Sequence, residues 1–243
     1  MSQGAAQANY SLTNSSKASL IFGGDYAASD EGSFFVATNT TPGTAIATTT
    51  SVVDDATGAT THAQQKPVMA VQNQWPTTYS PSPMNIYPRY LKMVISQIPT
   101  STSLWRYAMR LDPLPTKITT AGTVITPVSA NSNSGIGSKA YITFGTITCT
   151  DSSSSPSQRL VANGQVTGAI AVANDEWIFT FGQGVDTIDS IGTQTLVKRL
   201  SVPVGPLIIA PGWTWTLEMW GASNSAAPSW EFEFGYIERP SGQ

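Results

Sequence analysis

From about residue 91 onward, apolar and polar residues alternate or cluster in short runs bounded by turn-forming residues. The runs are LKMVISQI, LWRYAMRL, TVITPV, AYITFGTIT, GAIAVA, EWIFTFG, TLVKRLSVPV, PLIIA, WTWTLEMW and WEFEFGYI. Period-two alternation and enrichment in β-branched and aromatic residues predict strands. Between them lie SANSNSGIGS, TDSSSSPSQ, AND, GQG and APG, whose Gly, Pro, Asn, Asp and Ser supply turn geometry. No capping signal precedes a sustained helical period, although LWRYAMRL fits either element. About eight to ten strands without alternating helices predict an all-β fold, an antiparallel β-sandwich of jelly-roll-like type.

The first part of the chain reads differently. Residues 1–74 are rich in Ala, Thr, Ser, Gly and Asn, as in TPGTAIATTTSVVDDATGATTHAQQ, and only LIFGG (20–24) and FFVA (34–37) look able to form strands. Too little apolar surface is present for such a segment to order itself alone, so an extended N-terminal arm is expected, laid across a partner or the main body. Residues 75–90, WPTTYSPSPMNIYPRY, hold four prolines, each of which fixes φ and removes a backbone donor. They read as an extended linker into a sandwich spanning residues 91–243.

Residues 211–236, PGWTWTLEMWGASNSAAPSWEFEFGY, hold four of the seven tryptophans and three glutamates. Alternation places Trp213, Trp215, Leu217 and Met219 on one face of a strand and Thr214, Thr216, Glu218 and Trp220 on the other. In the next strand Trp230, Phe232, Phe234 and Tyr236 share a face, and Glu231, Glu233, Gly235 and Ile237 share the opposite one. With only GASNSAAPS between them, the two are expected to be neighbours in one sheet, aromatic side on the core and all three glutamates outside. Glu231 and Glu233 would then stand about 7 Å apart. An inverting glycosidase needs a carboxyl separation of that order, but also one carboxyl in an apolar pocket, and adjacent outward positions do not supply that asymmetry. A solvated or interface face is the expectation.

Composition narrows the partners. Charged residues make up 11% of the chain, against about 25% in an ordinary domain. A surface so poor in charge offers little repulsion against self-association and suits a protein covered by neighbours. The net charge of −3, without a Lys/Arg cluster, supplies no footprint for a phosphate backbone, so no direct nucleic-acid partner is expected. The lone cysteine, Cys149 in TFGTITCT, reads as a small buried hydrophobe. MSQGAAQANY lacks the basic and apolar regions of a signal peptide, and no apolar run reaches membrane-spanning length; synthesis in a host cytoplasm and no membrane association are expected.

Candidate chemistry is sparse. His62 lies in GATTHAQQ within the arm, with no shell to hold it for a triad. Asp25, Asp30 and Glu31 in GGDYAASDEG lack the alternation of an EF-hand and read as a surface loop. GQGVDTIDSIG lacks the Walker lysine and a following helix, so it reads as a turn. The sequons at Asn9, Asn14 and Asn39 carry weight only in a secreted protein. Trp75, Tyr79, Tyr87 and Tyr90 among prolines suit stacking on sugar rings, or packing of the linker on the sandwich. No catalytic, cofactor-binding or metal-ligating residue is expected, and no cofactor.

The C-terminal third, PVGPLIIAPGWTWTLEMWGASNSAAPSWEFEFGYIER, resembles the ends of jelly-roll structural proteins of tailed-phage heads. The shared features are an apolar strand, a Pro-Gly turn, an aromatic strand ending in Trp220, a small-residue loop and a last strand closing on Glu238 and Arg239. The resemblance covers residues 202–239 and implies a capsid cement, decoration or head-fibre subunit: a homotrimer on the capsid exterior, with the major capsid protein as its partner. The expectation is a non-enzymatic virion protein. Its alternatives are a tail-fibre or lectin-like module recognising host-surface glycan, and a shell-forming jelly-roll capsid protein, which the absence of a basic arm disfavours.

Overall fold

The computed structural model describes residues 11–13, 19–21, 24–39, 41–48, 66–77, 83–97, 105–150, 158–165, 173–182, 199–221 and 228–240. In chain order its elements are β1 (Ser11–Thr13), β2 (Ser19–Ile21), α1 (Gly24–Asp30), β3 (Phe34–Thr38), β4 (Ile46–Ala47), β5 (Met69–Asn73), β6 (Met84–Gln97), β7 (Trp105–Asp112) and β8 (Ile118–Thr120). They continue with β9 (Thr123–Ile125), β10 (Val128–Ser129), β11 (Ala140–Phe144), β12 (Thr148–Cys149), β13 (Arg159–Gln165), β14 (Glu176–Phe181), β15 (Arg199–Val204), β16 (Thr214–Gly221) and β17 (Ser229–Pro240).

Two sheets pack face to face, as the alternating pattern predicts. Sheet one runs β10–β3–β17–β6–β14–β15, with β4 beside the start of β17; sheet two runs β13–β7–β16–β5–β11–β9. The pairing is antiparallel except for β14 with β15, which run parallel. Pro203 lies in β15, at the end of sheet one's strand order, where a missing donor interrupts no inner ladder.

The core is made by the inward residues of both sheets. Trp215 of β16 stacks on Phe234 of β17 at 5.8 Å, and Phe144 of β11 on Phe232 of β17 at 4.2 Å. Trp215, Leu217 and Met219 are buried, as are Trp230, Phe232, Phe234 and Tyr236. The aromatic faces therefore point inward as expected, but β16 and β17 lie in opposite sheets rather than side by side. Alternation fixes which residues share a face; it does not distinguish a partner across a hydrogen-bonded ladder from one across the core.

Three stretches differ from their expected form. Met69–Asn73, in the stretch read as arm, is an inner strand of sheet two, paired with both β16 and β11. Residues 84–90, in the stretch read as linker, are the first half of β6, the longest strand, which pairs with β17 along its length. A register shift opposite Gly235 and Tyr236 leaves Arg89 as the extra residue beside Pro88, and a bulge is where an inner strand tolerates proline. The acidic stretch read as a loop contains a seven-residue helix, α1, whose Ala28 packs on Phe34 and Ile237. FFVA is strand, in β3, and LWRYAMRL resolves as strand, in β7. GAIAVA, apart from Ala173, lies outside the described residues.

Candidate functional site

Each outward face of the sandwich has its own chemistry, set by the polar members of the alternating strands. On sheet two, Thr214, Thr216 and Glu218 of β16 point away from the core and are nonetheless buried. The β8–β12 pair covers them, with Ile118, Ile147 and Cys149 packed on Ala70 of β5. Beneath it Lys117 Nζ lies 3.1 Å from Asp112 Oδ2, each side chain 1% exposed, and Arg110 Nε donates to Glu218 Oε2 at 3.1 Å. Asp112 Oδ1 also accepts from the Leu114 amide. Charges placed there must be paired, because an uncompensated one would cost several kcal/mol. Burial pushes the Cys149 thiol up to about 12, so it is a small apolar side chain at neutral pH, in keeping with its sequence reading.

On sheet one most outward residues, among them Ile178, Lys92, Val94, Glu231 and Glu233, are half-buried, whereas Glu176 is buried and Thr38 exposed. The register sets Ile178, Lys92, Glu233 and Thr38 in one row across β14, β6, β17 and β3, and Glu176, Val94 and Glu231 in the next. Lys92 Nζ is 3.7 Å from Glu176, and Tyr90 donates its hydroxyl to Glu233 Oε1 at 2.6 Å. Burial, and then the bond to Glu233, raise the Tyr90 pKa. The Tyr90 ring occupies the space above Gly235, where a Cβ would stand 2.3 Å from a ring carbon, so only glycine fits there without displacing it. α1 closes one end of this face through Asp25 with Arg89 at 2.9 Å and Glu31 with Arg239 at 3.0 Å.

A third set lies at the end of the sandwich. Glu238 of β17 is 2% exposed. Its Oε2 accepts from the Trp75 indole at 2.6 Å, and its Oε1 from Ser138 Oγ at 2.6 Å and the Lys139 amide at 3.2 Å. Ser138 Oγ also meets the Tyr236 hydroxyl at 2.7 Å. Burial raises the Glu238 pKa, and the hydrogen bonds from Ser138, Trp75 and the Lys139 and Ala140 amides oppose that rise.

The three glutamates of residues 211–236 are thus separated: Glu218 is sealed in an ion pair on sheet two, while Glu231 and Glu233 stand on the outer face of sheet one. Asp25 and Glu31 serve to dock α1. Trp75 and Tyr90 are committed to Glu238 and Glu233. Asn39 accepts from the Phe232 amide and donates to the Thr44 carbonyl, so its side chain is structural. His62, Asn9, Asn14, Tyr79 and all of GQGVDTIDSIG beyond Gly182 lie outside the described residues. Sequence reasoning missed Arg110, Asp112, Lys117 and Glu238. A signal existed for the first two: RYAMRLD sets Arg106, Arg110 and the acidic Asp112 on one face, a costly arrangement unless that face meets opposite charge.

Among the described residues no group of three or more His, Cys, Asp or Glu side chains is arranged to hold a metal ion, and no helix is long and apolar enough to cross a membrane. No protein-family model, curated protein or solved structure matches the chain.

Proposed function

We propose that the protein is a non-enzymatic virion component, a capsid decoration or cement subunit of a tailed phage that binds the major capsid shell from outside as a homotrimer. The observation that carries this reading is the strand order. Take β3, β5, β6, β7, β13, β14, β16 and β17 as first to eighth. Sheet one then contains first–eighth–third–sixth and sheet two second–seventh–fourth–fifth. We read that interleaving as two Greek keys in a jelly-roll order, an architecture used by viral capsid proteins and lectins. Fold alone does not select among them. The charge-poor composition and the resemblance of residues 202–239 to phage-head proteins favour the capsid reading. On it, the outer face of sheet one, with Lys92, Glu231 and Glu233 only half-buried, is the surface that meets the capsid. Electron microscopy of particles tests the assignment. Density for the protein on the outer shell surface is expected; density at the tail tip would replace this reading with glycan recognition, and a continuous shell of the protein itself would make it a shell-forming capsid protein.

A further inference from the structure

We propose that Glu238, Ser138 and Tyr236 form a proton-reversible hydrogen-bond latch at one end of the sandwich, which ties the segments before β11 and after β5 to β17 in both protonation states of Glu238 and whose contribution to stability depends on that proton. The geometry sets two requirements against each other. The partners of Glu238 are neutral donors: the Trp75 indole, the Ser138 hydroxyl and the backbone amide of Lys139, with the Ala140 amide beside them. Donors on all sides call for an ionised carboxylate. Burial at 2% exposure, with no cation among those partners, calls for a neutral one.

Ser138 reconciles the two. Its hydroxyl lies 2.6 Å from Glu238 and 2.7 Å from Tyr236, and either oxygen of the latter pair can donate. With Glu238 ionised, Tyr236 donates to Ser138 and Ser138 to the carboxylate. With Glu238 protonated, the carboxylic O–H donates to Ser138 and Ser138 turns to donate to Tyr236. One proton taken up reverses the polarity of the chain, and no heavy atom need leave its place. Tyr236 is the titratable side chain facing Glu238, through Ser138 and from its own strand. Lys139 contributes its backbone amide while its side chain is exposed, and the neighbouring Arg239 is engaged by Glu31. The latch spans both sheets: Glu238 is in sheet one, Trp75 follows β5 and Ser138 precedes β11 of sheet two.

The direction follows from the raised folded-state value. A carboxyl harder to ionise when folded than when unfolded contributes stability that is fully present below its unfolded value and is lost as pH rises through its folded one. The measurement is thermal melting of the full chain from about pH 4, below the ordinary range of a glutamate carboxyl, up to about pH 8, with Trp fluorescence as a second readout. Histidine is the side chain that ordinarily changes charge near neutral pH, so parent and variants all carry His62→Gln, which removes the chain's single histidine from the comparison. The parent Tm is expected to fall with rising pH relative to that of Glu238→Gln, a neutral isostere that lacks the titrating carboxyl. Ser138→Ala is expected to keep a pH dependence but with a shifted midpoint, because it removes the reversible link while leaving the carboxyl. A parent Tm that rises with pH relative to that of Glu238→Gln, or a Glu238→Gln variant that keeps the parent's full dependence, would overturn the latch. Should Glu238→Gln fail to fold, a Ser138→Ala midpoint identical to the parent's overturns it instead.

Discussion

At the scale of single residues, a polar side chain that alternation points outward has different worth according to what covers it. Glu218 and Glu231 are both outward members of aromatic strands, yet Glu218 is 2% exposed and paired with Arg110 whereas Glu231 is half-buried on an open row. Removing one member of a buried pair leaves the other uncompensated, so Glu218→Ala is expected to cost about 3–5 kcal/mol. Glu231→Gln is expected to change stability by less than about 0.5 kcal/mol. Trp215→Ala, which opens a cavity against Phe181 and Phe234, is expected to cost about 3–5 kcal/mol. Urea melts of the three variants decide it; equal costs for Glu218→Ala and Glu231→Gln would mean that the β8–β12 cover does not seal sheet two. The side each residue takes was legible from period two alone. Cover was not, because Ile118 and Cys149 come from short strands, and Ile147 from the residue before β12, whose apolar content is too small to announce them.

At the scale of elements, strands announce themselves in proportion to their length and apolar content, and the fold uses several that are weak in both. FFVA stood out and is β3, but its five residues belong to the body of the sandwich, between β10 and β17. Met69–Asn73 did not stand out, since MAVQN offers three apolar residues before two amides, and its role as an inner strand comes from neighbours distant in sequence, β11 and β16. The helix α1 lacks a periodic apolar stripe and is held by two ion pairs and Ala28, features visible only once Arg89 and Arg239 are placed. These placements change what a truncation should do. Among the described residues β1 and β2 pair only with each other, so deletion of residues 1–21 is expected to leave the Tm within about 2 °C. Deletion of residues 1–65 removes β3 and β4 from β17 and takes Phe35 out of the core, a loss of about 3–5 kcal/mol for that ring alone. The longer truncation is expected to lose its cooperative melt in calorimetry; an unchanged transition would mean that sheet one is stable without β3.

At the scale of the whole molecule, composition predicts association but does not reveal where the few charges are spent. Of a chain with only 11% charged residues, many of the charges lie in internal pairs: Asp25 with Arg89, Glu31 with Arg239, Lys92 with Glu176, Arg110 with Glu218 and Asp112 with Lys117. Each such pair withdraws two charges from the long-range field, so the surface is more nearly neutral than the composition alone implies. Repulsion between copies is correspondingly small, and apolar side chains remain exposed, among them Val128 at 62% and Ile136 at 55%. Contacts between copies would then rest on apolar area and neutral hydrogen bonds, which salt screens little, rather than on ion pairs. Symmetric closed assemblies bury such surface without leaving a growing end, and on the proposed capsid reading the closed state expected is a trimer. Sedimentation equilibrium at micromolar protein is expected to give three times the chain mass of 25.7 kDa. The same mass is expected when ionic strength is raised to about 1 M, where charge attractions fade beyond roughly 3 Å. Dissociation by salt would assign the contact to the half-buried charges of sheet one's outer face instead. A monomer under both conditions would remove self-association from the account and leave attachment to the capsid to a single copy.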